Sequence, residues 1–483
     1  MLGGLILVPI IGSIVIWAAG FSNPQHGWLL GCSTLILTGV MVVLQLPGAI
    51  TNTSLTFQVG GIPATYGVEL VADSVSFVFI GISLLIILGA MVHTRTIGPR
   101  TTPVISAILL LTGGTIGITL AGDLFTLYVF IELLAIATYA LIATAESRWA
   151  TYAAFKYLLI GTLGASLYLL GTAMAFIATG ALNMRFVAQE FSILGYTDPL
   201  VIGSFIFILV GLAIKIALFP VHTWLADAHA AAPDAISAII SGLLPAIAVY
   251  ALLRILFTVY TLEFIQSHGW LIDLLLFGGV ASLILGSFYA VLQRRLKLLL
   301  AYSTIANMGL AIIGITIANE TALYGSLLHL IGHGVIKAAL FILVGLFAIA
   351  CGAKTLSDYA GLATDAPYLS AGFVLLGVAL IGIPPTVGFM GKYYIALGAI
   401  QSGSWAIMAL VIASTILTVA YIVPVIDRLY FYERDGATAR RSLPVGSQFS
   451  VGIAIVLTIL LGFGAIGLEG VFEETITELI NRD

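Results

Sequence analysis

Charge is what this sequence has least of. Only 8% of its 483 residues are charged, where a water-soluble globular protein carries about 25%. A chain so poor in charge cannot solvate its own surface, and the scarcity runs from one end to the other with no polar block large enough to form a soluble domain. That excludes a soluble enzyme, a disordered tail and a nucleic-acid binder, which needs a basic face. Cysteine is almost missing too: Cys32 and Cys351 lie far apart, which leaves no disulfide framework, zinc knuckle or iron–sulfur cluster. No Lys or Arg precedes the first apolar run at Leu2, so that run lacks the charged start of a secretory signal and is expected to stay as a membrane span.

What the chain has is apolar length. Hydrophobic residues make up 60% of it, and mean hydropathy is +1.16. A spanning helix needs about 20 mostly apolar residues, and fourteen such runs occur: 2–20, 28–46, 70–92, 103–121, 123–143, 152–178, 199–219, 235–257, 271–291, 299–318, 322–349, 370–393, 404–426 and 449–469. Strands of a membrane barrel would be half as long and alternate in polarity. The expected class is therefore an all-α membrane protein. Cytoplasmic loops collect Lys and Arg. If the first span starts outside, the inner loops hold Arg95, Arg100, Arg148, Arg294, Arg295, Lys297, Lys354, Arg428, Arg434, Arg440 and Arg441, and the outer side holds Arg185 and Arg482. Both termini are expected outside the cell membrane. The tail beyond Gly470, with Phe472, Ile476 and Ile480 among glutamates, reads as a surface helix.

The informative charges are those inside the runs. Of six lysines, four lie there: Lys156, Lys215, Lys337 and Lys392. A lysine at the bilayer centre costs about 2.5–3.5 kcal/mol on insertion scales and marks a functional path more often than packing. Glu132 is their acidic counterpart in the fifth span and must be protonated or paired; Asp73 and Asp123 merely begin spans, where an acid favours the helix dipole. Lys156 precedes Lys215 by 59 positions and Lys337 precedes Lys392 by 55, each pair on consecutive spans and five spans apart. Two five-helix repeats follow, spans four to eight and nine to thirteen, the second inverted because five is odd, as in secondary transporters. The expected divisions are 1–102, a three-helix region; 103–260 and 261–430, the repeats; and 431–483, a loop, the last span and the tail. Pro220 beyond Lys215, and Pro384 with Pro385 before Lys392, predict broken helices at spans seven and twelve, which are tolerated only where protein or water satisfies the freed backbone.

His329, His333 and Lys337 follow one another a helical turn apart on span eleven. Three titratable groups on one apolar helix fit a proton relay; a haem or metal site and a pair of satisfied core imidazoles are the other readings. His222 and His229 are expected in a loop at the inner surface.

Several long stretches carry a family resemblance. Residues 122–132, Gly-Asp-Leu-Phe-Thr-Leu-Tyr-Val-Phe-Ile-Glu, resemble the fifth-helix motif of the antiporter-like subunits of Mrp sodium/proton antiporters and respiratory complex I. So do 215–229, 232–238, 301–305, 333–337 and 383–392. Residues 68–76 and 180–184 are similar to the D-type subunits of Mrp complexes, and the His-Thr-Trp-Leu phrase also resembles subunits of membrane-bound hydrogenases. The resemblance implies an ion path through each repeat, with Glu132 and Lys215 as the gating pair of the first half. Lys156 would tune that pair; Lys392 would end the second half, joined to the first by His329, His333 and Lys337. It implies other membrane subunits as partners, Na⁺ and H⁺ as cargo, and no cofactor or redox centre in this chain.

Two positions depart from the family pattern. Ala246 stands where a lysine is common in span eight, and Asn307 where a histidine is frequent in span ten. The expected central link is water supported by Ser237, Ser241 and Asn307. Three readings follow: a subunit of a multisubunit Na⁺/H⁺ antiporter, a proton-pumping module of a redox complex, and a scaffold subunit whose channel has degenerated.

Overall fold

The computed structural model describes residues 2–20, 23–51, 54–64, 67–95, 101–433 and 443–480. Arg100, Arg434, Arg440, Arg441 and Arg482 lie outside the described residues.

The apolar runs form helices that bury one side in protein and offer the other to lipid. The N-terminal region has α1 (Leu2–Ala19), α2 (Pro24–Thr51) and α3 (Ser74–Thr94), with a short hairpin of β1 (Ser54–Gln58) and antiparallel β2 (Glu69–Asp73) between the last two. The first repeat follows: α4 (Thr102–Leu120), α5 (Leu124–Ala143), α6 (Arg148–Thr179), an amphipathic α7 (Met184–Leu194), α8 (Pro199–Ile216), α9 (Thr223–Ala231) and α10 (Asp234–Ile255). A short α11 (Thr261–Ser267) leads to the second repeat: α12 (Gly269–Leu292), α13 (Leu296–Thr316), α14 (Glu320–Cys351), α15 (Leu362–Asp365), α16 (Pro367–Ile381), α17 (Val387–Gln401) and α18 (Trp405–Phe431). The chain closes with α19 (Val445–Phe463) and α20 (Ala465–Ile480).

Among the described residues thirteen helices are long and apolar enough to cross a membrane. The fourteenth crossing is α16 and α17 in tandem, the broken helix expected at span twelve. The break expected at span seven separates α8 from α9. Ala217 takes a left-handed conformation at the first break, φ 61°, and Gly382 at the second, φ 88°. The repeats match in other details. Helices α6 and α14 both run 32 residues. Each opens on a side-chain cap, Ser147 accepting from the Ala150 amide at 3.0 Å and Asn319 from that of Ala322 at 2.8 Å, and each ends on a left-handed glycine, Gly180 or Gly352. Such caps occupy amides that the bilayer cannot solvate. Helix α5 packs on α4 and α6 as α13 packs on α12 and α14.

The hairpin and α7 lie at span ends, and α20 docks by Phe472 and Ile476 with Ser74 hydrogen-bonded to Thr475. An even number of crossings puts both ends of the chain on one face.

Helices α10 and α14 are both largely buried and cross where Gly242 meets Gly334. A Cβ on Gly242 would lie 2.8 Å from the Gly334 carbonyl oxygen. Small residues at such crossings let membrane helices approach closely. Gly242→Leu should therefore destabilise the protein by about 1–3 kcal/mol, read as a lower unfolding temperature in detergent. Gly467→Leu on α20, where nothing lies within 4 Å of the added Cβ, should leave it unchanged.

Candidate functional site

Glu132 sits on α5 two turns past Asp123, which caps that helix by accepting the Thr126 amide at 2.7 Å. Lys215 occupies the last turn of α8, just before the break. Its Nζ donates to Glu132 Oε1 at 3.0 Å, with the lysine buried and the carboxylate partly exposed. The break exposes backbone that side chains then satisfy: Trp224 Nε1 donates to the Ile214 carbonyl at 2.8 Å. The Trp224 indole stacks on Tyr157 with ring centroids 3.8 Å apart, and Tyr139 meets Tyr157 edge-on. This column of rings fixes α9 against α6 beside the ion pair. On the same helix pair, Lys156 Nζ donates to Asp227 Oδ2 at 2.7 Å and to the Thr223 carbonyl at 2.8 Å. Lys297 does the same for the next turn of chain, reaching Asp234 Oδ1 at 2.7 Å and the Ala232 carbonyl at 2.7 Å.

The interior lysines of the second repeat, Lys337 and Lys392, are met by oxygens without charge. Lys337, fully buried on α14, donates to the Leu300 carbonyl at 2.9 Å and to Ser303 Oγ. Asn307 Nδ2 donates to the Ser303 carbonyl at 2.6 Å, and His329 Nε2 lies 3.2 Å from the Asn307 carbonyl. The His329 and His333 rings are 6.4 Å apart. Neither ring nitrogen of His333 or of His229 has a hydrogen-bond partner among the described residues. Lys392 Nζ donates to the Ile381 carbonyl at 2.9 Å and faces Thr415 Oγ1 at 3.4 Å. Ile381 is the last residue of α16, so its carbonyl is free because the helix is broken there. The first-repeat lysine precedes its break and the second-repeat lysine follows its own.

Beside Lys215 the lining changes character. A cavity of about 20 Å³ touches Lys215 and Tyr157 and is otherwise walled by apolar side chains, among them Ile131, Leu134, Leu244 and Ile247. That is room for about one water. The hydroxyls expected to carry a water link are engaged elsewhere: Ser241 with Thr304 Oγ1 at 2.9 Å, and Ser237 with the His229 carbonyl at 2.7 Å. Thr304 in turn donates to Leu300, the carbonyl that holds Lys337. The expected polar support is thus present on the second-repeat side, and the Lys215 side of α10 is apolar.

The structure brings Glu132 to Lys215, and His329, His333 and Lys337 to one helix face. It pairs Lys156 directly with Asp227. The loop expected around His222 and His229 is instead the cap and body of α9, with His229 fully buried. Sequence reasoning gave no role to Asp227, Asp234 or Lys297. A signal existed: two aspartates sit in the polar phrase that follows the proline break, within reach of lysines near the starts of α6 and α13. It also left Asp73 as a helix cap, which it is, accepting the Ser76 amide at 2.8 Å; the Arg254 guanidinium bound to its other oxygen went unforeseen.

Fold and site define a multi-pass membrane protein with interior ionisable groups placed at the breaks of two inverted repeats. Residues 121–418 match the family described as NADH:quinone oxidoreductase/Mrp antiporter, TM, and the chain belongs to that family. It is 35% identical over 469 residues to the N-type subunit of the NADH-quinone oxidoreductase of Desulforudis audaxviator, covering 93% of this chain and 91% of that one. It is 28% identical over 454 residues to the D-type subunit of the Na⁺/H⁺ antiporter of Bacillus subtilis, covering 93% and 90%. Its fold is that of a chain in the Mrp complex from Dietzia sp. DQ12-45-1b, with a TM-score of 0.90 at 22% identity, covering 99% and 98%.

Groups in one buried pair do not act additively. A double-mutant cycle on Glu132→Gln and Lys215→Met, followed by thermal unfolding in detergent, should give a coupling of about 1–3 kcal/mol. Additive effects would contradict the pairing.

Proposed function

We propose that this chain is an ion-translocating subunit of a multisubunit membrane complex that exchanges Na⁺ for H⁺. The observation that carries the reading is the Glu132–Lys215 ion pair at a helix break, 3.0 Å long inside an otherwise apolar bundle. Contact with the carboxylate stabilises the charged lysine; separation removes that support in a medium that disfavours any unpaired charge, so a proton leaves the lysine. The His329, His333, Lys337 and Lys392 series offers a second set of proton stations. Lys156 and Lys297, each paired with an aspartate, hold the chain after the first break and set the field around it. The relative named as an Na⁺/H⁺ antiporter component and the fold shared with an Mrp complex chain support both the cargo and the need for partner subunits.

Arg148, Arg294, Arg295 and Lys354 lie on one face and Arg185 on the other, which supports a plasma-membrane protein with both termini outside. A second reading has its own support. The 35% identity to a component of an NADH-quinone oxidoreductase favours a proton-pumping module driven by electron transfer in neighbouring subunits.

In vesicles carrying the assembled complex, Glu132→Ala and Lys215→Ala should each lower ion-coupled proton movement at least tenfold while assembly survives. Driving the same vesicles with an imposed Na⁺ gradient or with a reduced electron donor separates the two readings. Normal transport in both variants would leave only the scaffold role and overturn the proposal.

A further inference from the structure

The first-repeat lysine has a second way out. Along α10, Leu244, Ile247 and Ala248 line the cavity beside Lys215, and Ala251 and Arg254, the next turns of the same face, line a pocket of about 40 Å³. Along α5, Leu134 and Ile131 line the first and Leu127 the second. Ile118 of α4 lines both. Ala248 and Ala251 are three residues apart, about 4.5 Å of helix rise. The two cavities are therefore stacked in one groove with Ile118 as their common wall.

The second pocket opens among β2, α7 and α20 on the face that carries both termini, and it is charged. Arg254 binds Asp73 and donates through Nε to the Tyr250 hydroxyl at 2.9 Å. Ser76 Oγ donates to Asp73 Oδ1 at 2.9 Å, and Tyr250 reaches the Thr119 carbonyl at 3.4 Å. Arg185 and Glu478 stand 4.0 Å apart at the rim. Just past Arg254 the helix widens into a π turn, Leu256–Tyr260, a distortion that recurs at functional sites. An arginine within a membrane helix is kept where it faces protein or a watery cavity.

We propose that this groove between α4, α5 and α10 is an outlet for protons leaving Lys215, with Ile118 as its apolar gate and the Asp73–Arg254 pair as its mouth. The inference rests on the proton-carrying role of Lys215 proposed above. It accounts for Ala246: a chain with no titratable group at that position, and with Leu244 and Ile247 of the same helix walling the cavity beside Lys215, does not need to send every proton across to Lys337. In the step itself, an N–H bond of the Lys215 ammonium breaks and an O–H bond forms on water in the groove. The proton passes along water past the Asp73–Arg254 pair to bulk water, leaving Lys215 neutral.

The test uses the assembled complex in vesicles. Ile118→Trp should lower transport at least tenfold, as Lys215→Ala does. Should the tryptophan variant fail to assemble, Ile118→Cys decides, in a chain with Cys32→Ser and Cys351→Ser. An impermeant trimethylammonium methanethiosulfonate added from the face of the termini should modify it and cut transport at least tenfold, and the same reagent on the opposite face should not. Normal transport in Ile118→Trp beside a dead Lys215→Ala overturns the outlet and leaves the role of Lys215 intact, as does a cysteine that reacts only from the opposite face or reacts without loss of transport. Normal transport in Lys215→Ala overturns the role of Lys215 and the outlet with it.

Discussion

An ammonium group inside a bilayer has to be met by oxygen atoms, and the fold is organised around supplying them. In an intact helix each carbonyl already accepts from one of the helix's own amides and has only a second lone pair to share. A broken helix leaves some carbonyls wholly free. The carbonyl of Ile381 reaches Lys392 because α16 stops there, and the carbonyl of Ile214 reaches Trp224 because α8 is about to end. The remaining oxygens come from neighbours pressed close. Lys337 meets Leu300 and Ser303 of α13, and Lys156 meets Thr223 and Asp227 of α9. Close helix crossings such as Gly242 against Gly334 serve the same end, since bulkier residues there would separate the helices that carry donors and acceptors.

The two repeats solve this problem differently. In the first, each interior lysine meets a carboxylate: Lys215 with Glu132, Lys156 with Asp227. Such contacts lose their Coulombic attraction when either partner is neutralised, as the proposed gating requires. In the second, Lys337 and Lys392 meet only carbonyls and hydroxyls among the described residues. Those oxygens stay put whatever the charge, which suits stations that hold and release a proton without rearranging the helix. The lining beside Lys215 is apolar, with Leu244 and Ile247 contributed by α10.

The membrane crossings, the repeats and their breaks were legible in the sequence because each rests on a one-dimensional signal. Twenty apolar residues make a span, a proline pair inside one makes a break, and matching lysines five spans apart make a repeat. That Glu132 needs protonation or a partner was legible because a lone charge in an apolar run demands it; that the partner is Lys215 came from the family resemblance. The pairing of Lys156 with Asp227 was not legible, since Asp227 lies in a polar phrase that reads as loop; only the fold shows that α9 turns it back against α6. His229 was misplaced for the same reason: a nine-residue helix after a break is too short to show periodicity. The Asp73–Arg254 pair joins residues 181 positions apart, and nothing local marks it.

The central claim is that the Glu132–Lys215 contact opens and closes as protons pass. Infrared difference spectra of the energised complex test it most directly. The account predicts a carboxylate stretching band that shifts on energisation as Glu132 loses its lysine partner, returns when the driving gradient is removed and is missing in Glu132→Gln. A Glu132 band that stays unchanged throughout turnover would contradict it.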